Sequence, residues 1–284
     1  MKKITTIFVL FVLLTSCTKQ YIQLFEVGTT NTQLKNESYV SENDTLKITY
    51  SFWASKGILS FSIYNKLDKP VYIDWKNSSM IYNDKTINYW VNAEPIYISN
   101  QYNSVYFYKY SMVEFGFPKN PRMPNSSALE VKPERITVIP PKSHYDRAQF
   151  CVLPVENYEI DLNCPTNVVP RNDKPKKKTT VYSEEYTYEN SPVKLRNHVA
   201  FSCSENTLYP SFVDHTFFLA SAREMELRHY LGKPTGYDKN QNFIFTHVFR
   251  NKTSFYINIP EDKTIANRKL NERKMYMPAK KLAQ

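Results

Sequence analysis

Residues able to do chemistry lie scattered along the 284-residue chain. Its five histidines (His144, His198, His215, His229, His247) are singletons. The sequence holds no His-Glu-x-x-His, no Gly-x-Ser-x-Gly, no Cys-x-x-Cys and no phosphate loop. Asp214-His215 is the one acidic-histidine neighbour pair. Adjacent residues of a strand face opposite ways, so these two should not meet. His144 and Asp146 share a strand face and suit a surface pair. Glu184-Glu185 and the Glu224/Glu226 pair are expected as solvated charges. Acid–base catalysis needs a geometry that spacing alone does not supply. The chain has 5 glycines, where a soluble chain of this length averages about 20. That shortage excludes the clustered glycines of dinucleotide-binding folds. No catalytic residue, metal or cofactor is expected, and the chain reads as a non-enzyme.

Three other groups carry potential function. Tyr97, Tyr102, Tyr106, Tyr108 and Tyr110, with Phe107, Phe115 and Phe117, exceed what one strand can bury. Tyrosine combines apolar area with a polar tip, which suits a surface that binds a protein or a glycan. A hairpin packed over the fold is the other role open to them. Cys151, Cys164 and Cys203 follow Cys17. A Cys151–Cys164 disulfide would close a short loop and add about 3 kcal/mol in the chain-entropy picture. Three reduced thiols fit the sequence equally. Residues 171–178 hold five basic residues and one Asp, and residues 267–284 hold six basic residues and one Glu. Lys174, Lys176, Lys177 and Lys178 could contact anionic headgroups, each contributing about 1 kcal/mol. A solubilising loop is the plainer role.

The elements that must position these residues are strands. Leu46, Ile48, Tyr50 and Phe52 alternate with polar residues, as do Leu59, Phe61 and Ile63, and then Val71, Ile73 and Trp75. Period two marks strands with one buried face. Turn-like residues 54–57 and 65–70 separate them, which predicts an antiparallel meander or sandwich. Residues 80–82 and 87–91 continue the pattern across Asn83-Asp84-Lys85. Further strands are expected at 135–139, 145–153, 195–203, 243–249 and 254–259. Residues 219–231 favour helix by composition, with Gly232 and Pro234 as a stop. Thr216-Phe217-Phe218-Leu219 opposes that, so a strand from Phe212 running into a turn or short helix is expected. Residues 97–134 form an aromatic-rich insertion and residues 164–180 a basic loop.

The N-terminus opens Met1-Lys2-Lys3 and continues with an apolar run over residues 4–14. That run is too short to span a bilayer, which takes about 20 residues, and it fits an export signal. Its ending, Leu14-Thr15-Ser16-Cys17, resembles the lipobox of bacterial lipoproteins. The resemblance implies diacylation of Cys17 and cleavage before it. Two or more acyl chains anchor stably, at about 0.8 kcal/mol per buried methylene. Loss of Lys2 and Lys3 would lower the formal charge from +10 to +8. Residues 17–41 read as a lipidated start and tether, although Tyr21, Ile22, Leu24, Phe25 and Val27 also suit a first strand. Thr18-Lys19-Gln20 lacks the acidic residues that direct some lipoproteins to the cell surface, so a periplasm-facing anchor is expected.

Residues 60–75, with Asn65-Lys66-Leu67-Asp68-Lys69-Pro70 at their centre, resemble the Asn-turn hairpin of Ig-like β-sandwich lipoproteins. Residues 136–143, ending Pro140-Pro141-Lys142-Ser143, are similar to a strand of the same proteins. The resemblance implies architecture and anchor, and carries no site. The expected molecule is therefore all-β, an antiparallel Ig-like sandwich over residues 42–260 with at most one short helix. Residues 1–16 would be its signal and residues 261–284 a basic tail. Its expected role is lipid-anchored binding or scaffolding at the outer membrane, with an envelope protein or glycan as partner and no nucleic acid. A hydrolase of envelope polymers is the alternative.

Overall fold

A computed structural model describes residues 19–90, 96–100, 103–107, 134–205, 208–237, 243–245 and 251–281. The first strands are β1 (Tyr21–Thr29), β2 (Gln33–Lys35), β3 (Ser38–Glu42), β4 (Leu46–Ser51) and β5 (Ile58–Asn65). Next come β6 (Val71–Tyr82), β7 (Lys85–Asn88), β8 (Ile96–Asn100) and β9 (Asn103–Phe107). The middle of the chain supplies β10 (Ile136–Ile139), β11 (His144–Cys151), β12 (Thr166–Pro170) and β13 (Lys178–Glu185). Then follow β14 (Lys194–Ser202), β15 (Ser211–Glu226), helix α1 (Leu227–Leu231), β16 (Pro234–Tyr237) and β17 (Phe243–Phe245). The chain closes with β18 (Ser254–Ile259) and helix α2 (Ile265–Lys281).

The fold is all-β and antiparallel. One sheet runs β10-β6-β14-β15-β1-β18, with β7 beside β6 and the β12–β13 hairpin continuing from β15. The second runs β11-β5-β4-β3-β2. Their apolar faces meet: the Tyr50 and Phe217 rings lie 4.7 Å apart and those of Phe52 and Phe217 5.2 Å. The alternation read at residues 46–75 faces this core, since Leu46, Ile48, Tyr50, Phe61, Ile63, Val71, Ile73 and Trp75 are all buried. β15 organises the larger sheet. Its first half pairs with β14, its last part pairs with β13 on that same side, and β1 lies along its other edge.

Several stretches differ from the sequence expectation. Residues 17–41 contain three strands, and β1 sits between β15 and β18. Both faces of β1 are covered, Phe25 and Val27 in the main core and Ile22 and Leu24 in a smaller apolar cluster. Residues 164–180 include β12 and the start of β13, so the basic loop is the tip of a hairpin. Part of the expected tail is α2, docked through the buried Ile265, and it adds a second helix. Residues 219–231 divide as expected into a strand from Ser211 to Glu226 and the five-residue α1. Burial of Phe217, Leu219 and Ala222 in the sheet overrides the local helix preference.

Gly57 illustrates how tightly the second sheet closes. It adopts φ +69°, and an added Cβ would lie 2.9 Å from both Phe255 and Val152. Its carbonyl also accepts the Val152 N–H at 3.1 Å. Gly57→Ala is therefore expected to lower stability by about 1–3 kcal/mol, read from the urea midpoint.

Candidate functional site

The end of the sandwich where β1 begins holds the four candidate lysines of residues 174–178. The Gln20 carbonyl accepts the Leu227 N–H at 2.8 Å, fixing the start of β1 against α1. Tyr21 pairs with Glu226 on one side and with Ile259 on the other. Tyr230 of α1 packs with Ile22, Leu24 and Met225, which gives this short helix an apolar footing.

The β12–β13 hairpin ends beside them. Tyr182 pairs with Glu224, and Pro170 with Lys178, so the tip falls level with α1. The tip is braced within itself: Arg171 N–H donates to Lys177 O at 2.8 Å and Lys177 N–H to Lys174 O at 2.8 Å. It is also tied to α1. Arg171 bonds Asp173 at 2.5 Å and Glu226 at 2.8 Å, with all three side chains largely covered. The Asn172 side chain donates to the His229 carbonyl at 2.7 Å. Burial pushes the Asp173 carboxyl up, but Arg171 outweighs it and holds the group below its ordinary value. Burial lowers His229. Lys174, Lys176, Lys177 and Lys178 are exposed.

The inner face of the same end is closed by polar side chains. Gln23 Nε2 donates to the Tyr158 carbonyl at 2.8 Å and to Glu224 at 3.1 Å. Glu224 also accepts the first amide of α2, from Ile265, at 2.7 Å. Burial raises its pKa, opposed by those hydrogen bonds and by Arg268. Glu224 is thus a buried cap of α2 and not the solvated charge expected. Glu184 accepts from the Tyr186 hydroxyl and from the Asp161 amide at 2.8 Å.

A second buried polar chain crosses the sandwich core. Tyr50 Oη lies 2.7 Å from His215 Nδ1 and accepts from Asn197 Nδ2 at 2.9 Å. Asn197 Oδ1 accepts from the Tyr89 hydroxyl at 2.6 Å. Burial pushes the Tyr50 hydroxyl up and His215 down. Asp214 and His215 do face opposite ways. Asp214 instead pairs with Arg196 and lies 3.4 Å from His198, which stacks on Phe212.

Cys17, Tyr102, Tyr108 and Tyr110 lie outside the described residues. Tyr97 and Tyr106 sit directly opposite each other in the β8–β9 hairpin. Cys151 and Cys164 are buried thiols, and no disulfide joins the described residues. Each is held in its own surroundings, Cys151 near Lys56 and Cys164 near Lys269 and Glu184. His144 and Asp146 form a surface pair at 3.9 Å. Among the described residues no group of three His, Cys, Asp or Glu is placed to hold a metal. Sequence reasoning missed Leu208, Tyr209 and Phe212, exposed by 75%, 93% and 50% around the β14–β15 connection. No periodicity marks them there. No family model, curated protein or solved structure matches the chain.

Proposed function

We propose that this chain is a lipid-anchored cell-envelope protein, acylated at Cys17, with a non-catalytic binding or scaffolding role at the outer membrane. The apolar run ending in Leu14-Thr15-Ser16-Cys17 carries this assignment. The short spacing to the fold supports it. β1 begins at Tyr21, four residues after Cys17. Four residues reach at most about 14 Å, so an acylated Cys17 holds the entry end of the sandwich at the lipid surface. No helix among the described residues is long and apolar enough to cross a membrane. The Thr18-Lys19-Gln20 start, free of acidic residues, favours a periplasm-facing position.

Radiolabelled fatty acid is expected to label the wild type and leave Cys17→Ser unlabelled. Equal labelling of both proteins, or labelling of neither, rejects the anchor. A pull-down from gently solubilised membranes then identifies the protein or glycan partner. Recovery of none argues against scaffolding.

A further inference from the structure

Resting on the proposed anchor at Cys17, we infer that the β12–β13 tip is a second membrane contact, which seats the domain on anionic phospholipid headgroups. Sequence alone separates Cys17 from Lys174 by more than half the chain. The sheet brings the start of β1 and the β12–β13 tip to one end. Tyr21 stands opposite Glu226, and the tip is tied to Glu226 and His229. β13, β15 and β1 are consecutive neighbours, so the tip lies about 10 Å sideways from the start of β1.

The charge there is net positive. Arg171 bonds both Asp173 and Glu226, so that cluster of one cation and two carboxylates carries −1. Four exposed lysines, Lys174, Lys176, Lys177 and Lys178, outweigh it and leave the tip at +3 (4 minus 1). Glu261 and Asp262, which follow β18, also lie at this end. β18 lies three strand spacings from β13, about 14 Å. Physiological salt screens charges beyond about 8 Å, so these acids do not cancel the tip. Exposed Lys19, Arg228 and Lys233 extend the positive surface toward the anchor. The turn is already braced by its own backbone bonds, so little ordering is needed on contact.

Two or more acyl chains on Cys17 would already anchor the protein stably, so retention does not depend on the patch. Here the patch does more than add affinity. With one flexible attachment the sandwich could pivot. A second contact, about 10 Å sideways from the start of β1, sets which end faces the bilayer. The opposite end of β15, about 50 Å away along its 16 residues, then points off the membrane. Tyr209 and Phe212 belong to that far end.

The test uses residues 17–284 with Cys17→Ser, which keeps every described element and removes acylation. Co-sedimentation is measured with phosphatidylcholine vesicles containing about one third phosphatidylglycerol, and with phosphatidylcholine alone. Binding is expected only to the anionic vesicles, and to weaken with salt. Replacing Lys174, Lys176, Lys177 and Lys178 by Gln should weaken it at least about tenfold. Replacing Lys66, Lys69 and Lys142, at the far end, should change it less than about twofold. Thermal melts check that all variants fold. Unchanged affinity in the tip variant overturns the inference, as does equal binding to neutral vesicles. Binding to a soluble phosphorylated glycan with tip dependence, but not to vesicles, also overturns it in favour of a glycan. No binding of any kind by the unacylated protein rejects the headgroup contact and leaves the fatty-acid labelling of Cys17 to stand or fall separately.

Discussion

Replacing Trp75 by alanine should lower the unfolding free energy by about 3–5 kcal/mol, the largest single loss in the sandwich. Trp75 is fully buried on β6. Its indole N–H donates to Thr137 Oγ1 at 2.8 Å, tying β6 to the edge strand β10. Phe61, Tyr89 and Tyr145 pack their rings around it at 6.4, 5.5 and 5.8 Å. The Arg147 guanidinium lies 4.0 Å from its centroid. Truncation therefore removes packing, opens a cavity between the sheets and strips a part-buried cation of its aromatic face. Trp75→Phe keeps most of the area and loses the Thr137 bond, so about 1–2 kcal/mol is expected. Urea unfolding at constant m-value gives both figures. A loss below about 1 kcal/mol for the alanine variant would mean the site collapses around the cavity.

Trp75 was legible because it closes a period-two run, and one face of β6 is core. The same signal placed β4 and β5 and the Tyr50 side chain. It did not reveal the polar chain through Tyr50, because His215 and Asn197 reach it from strands 165 and 147 residues away. A polar residue in a strand reads as solvent-facing until its distant partner is known. β1 was half legible: its apolar residues occupy both faces, which breaks alternation for a strand covered on two sides. β12 was illegible for the opposite reason. Thr166, Asn167 and Val168 are all exposed, so burial leaves no pattern there. The lysine cluster was visible as charge, whereas its position beside the chain's entry point follows only from the registers of β1, β13 and β15.

Acid should weaken the fold through His215 before it protonates the buried core. Tyr89 donates to Asn197, and Asn197 donates to the Tyr50 oxygen. The Tyr50 proton is then directed to His215 Nδ1, which must accept it. The chain of donors thus suits a neutral imidazole carrying its proton on Nε2. Burial favours the same state and lowers the pKa from 6.5, with Asp214 opposing only in part. The unfolded chain has no such preference. As pH falls below about 6.5, the unfolded state binds a proton that the folded state refuses, so stability drops. The drop continues until the pH reaches the folded value, with a slope of at most about 1.4 kcal/mol per pH unit for one proton. His215→Gln keeps an acceptor for Tyr50 and removes the titration. Between pH 7 and pH 5 the wild type should lose more stability than this variant, with the two profiles diverging below about pH 6.5. His229, also lowered by burial, leaves a residual slope in both proteins. Parallel pH profiles would assign the acid sensitivity to His229 and the surface charges, and would mean His215 titrates in the core at its ordinary value.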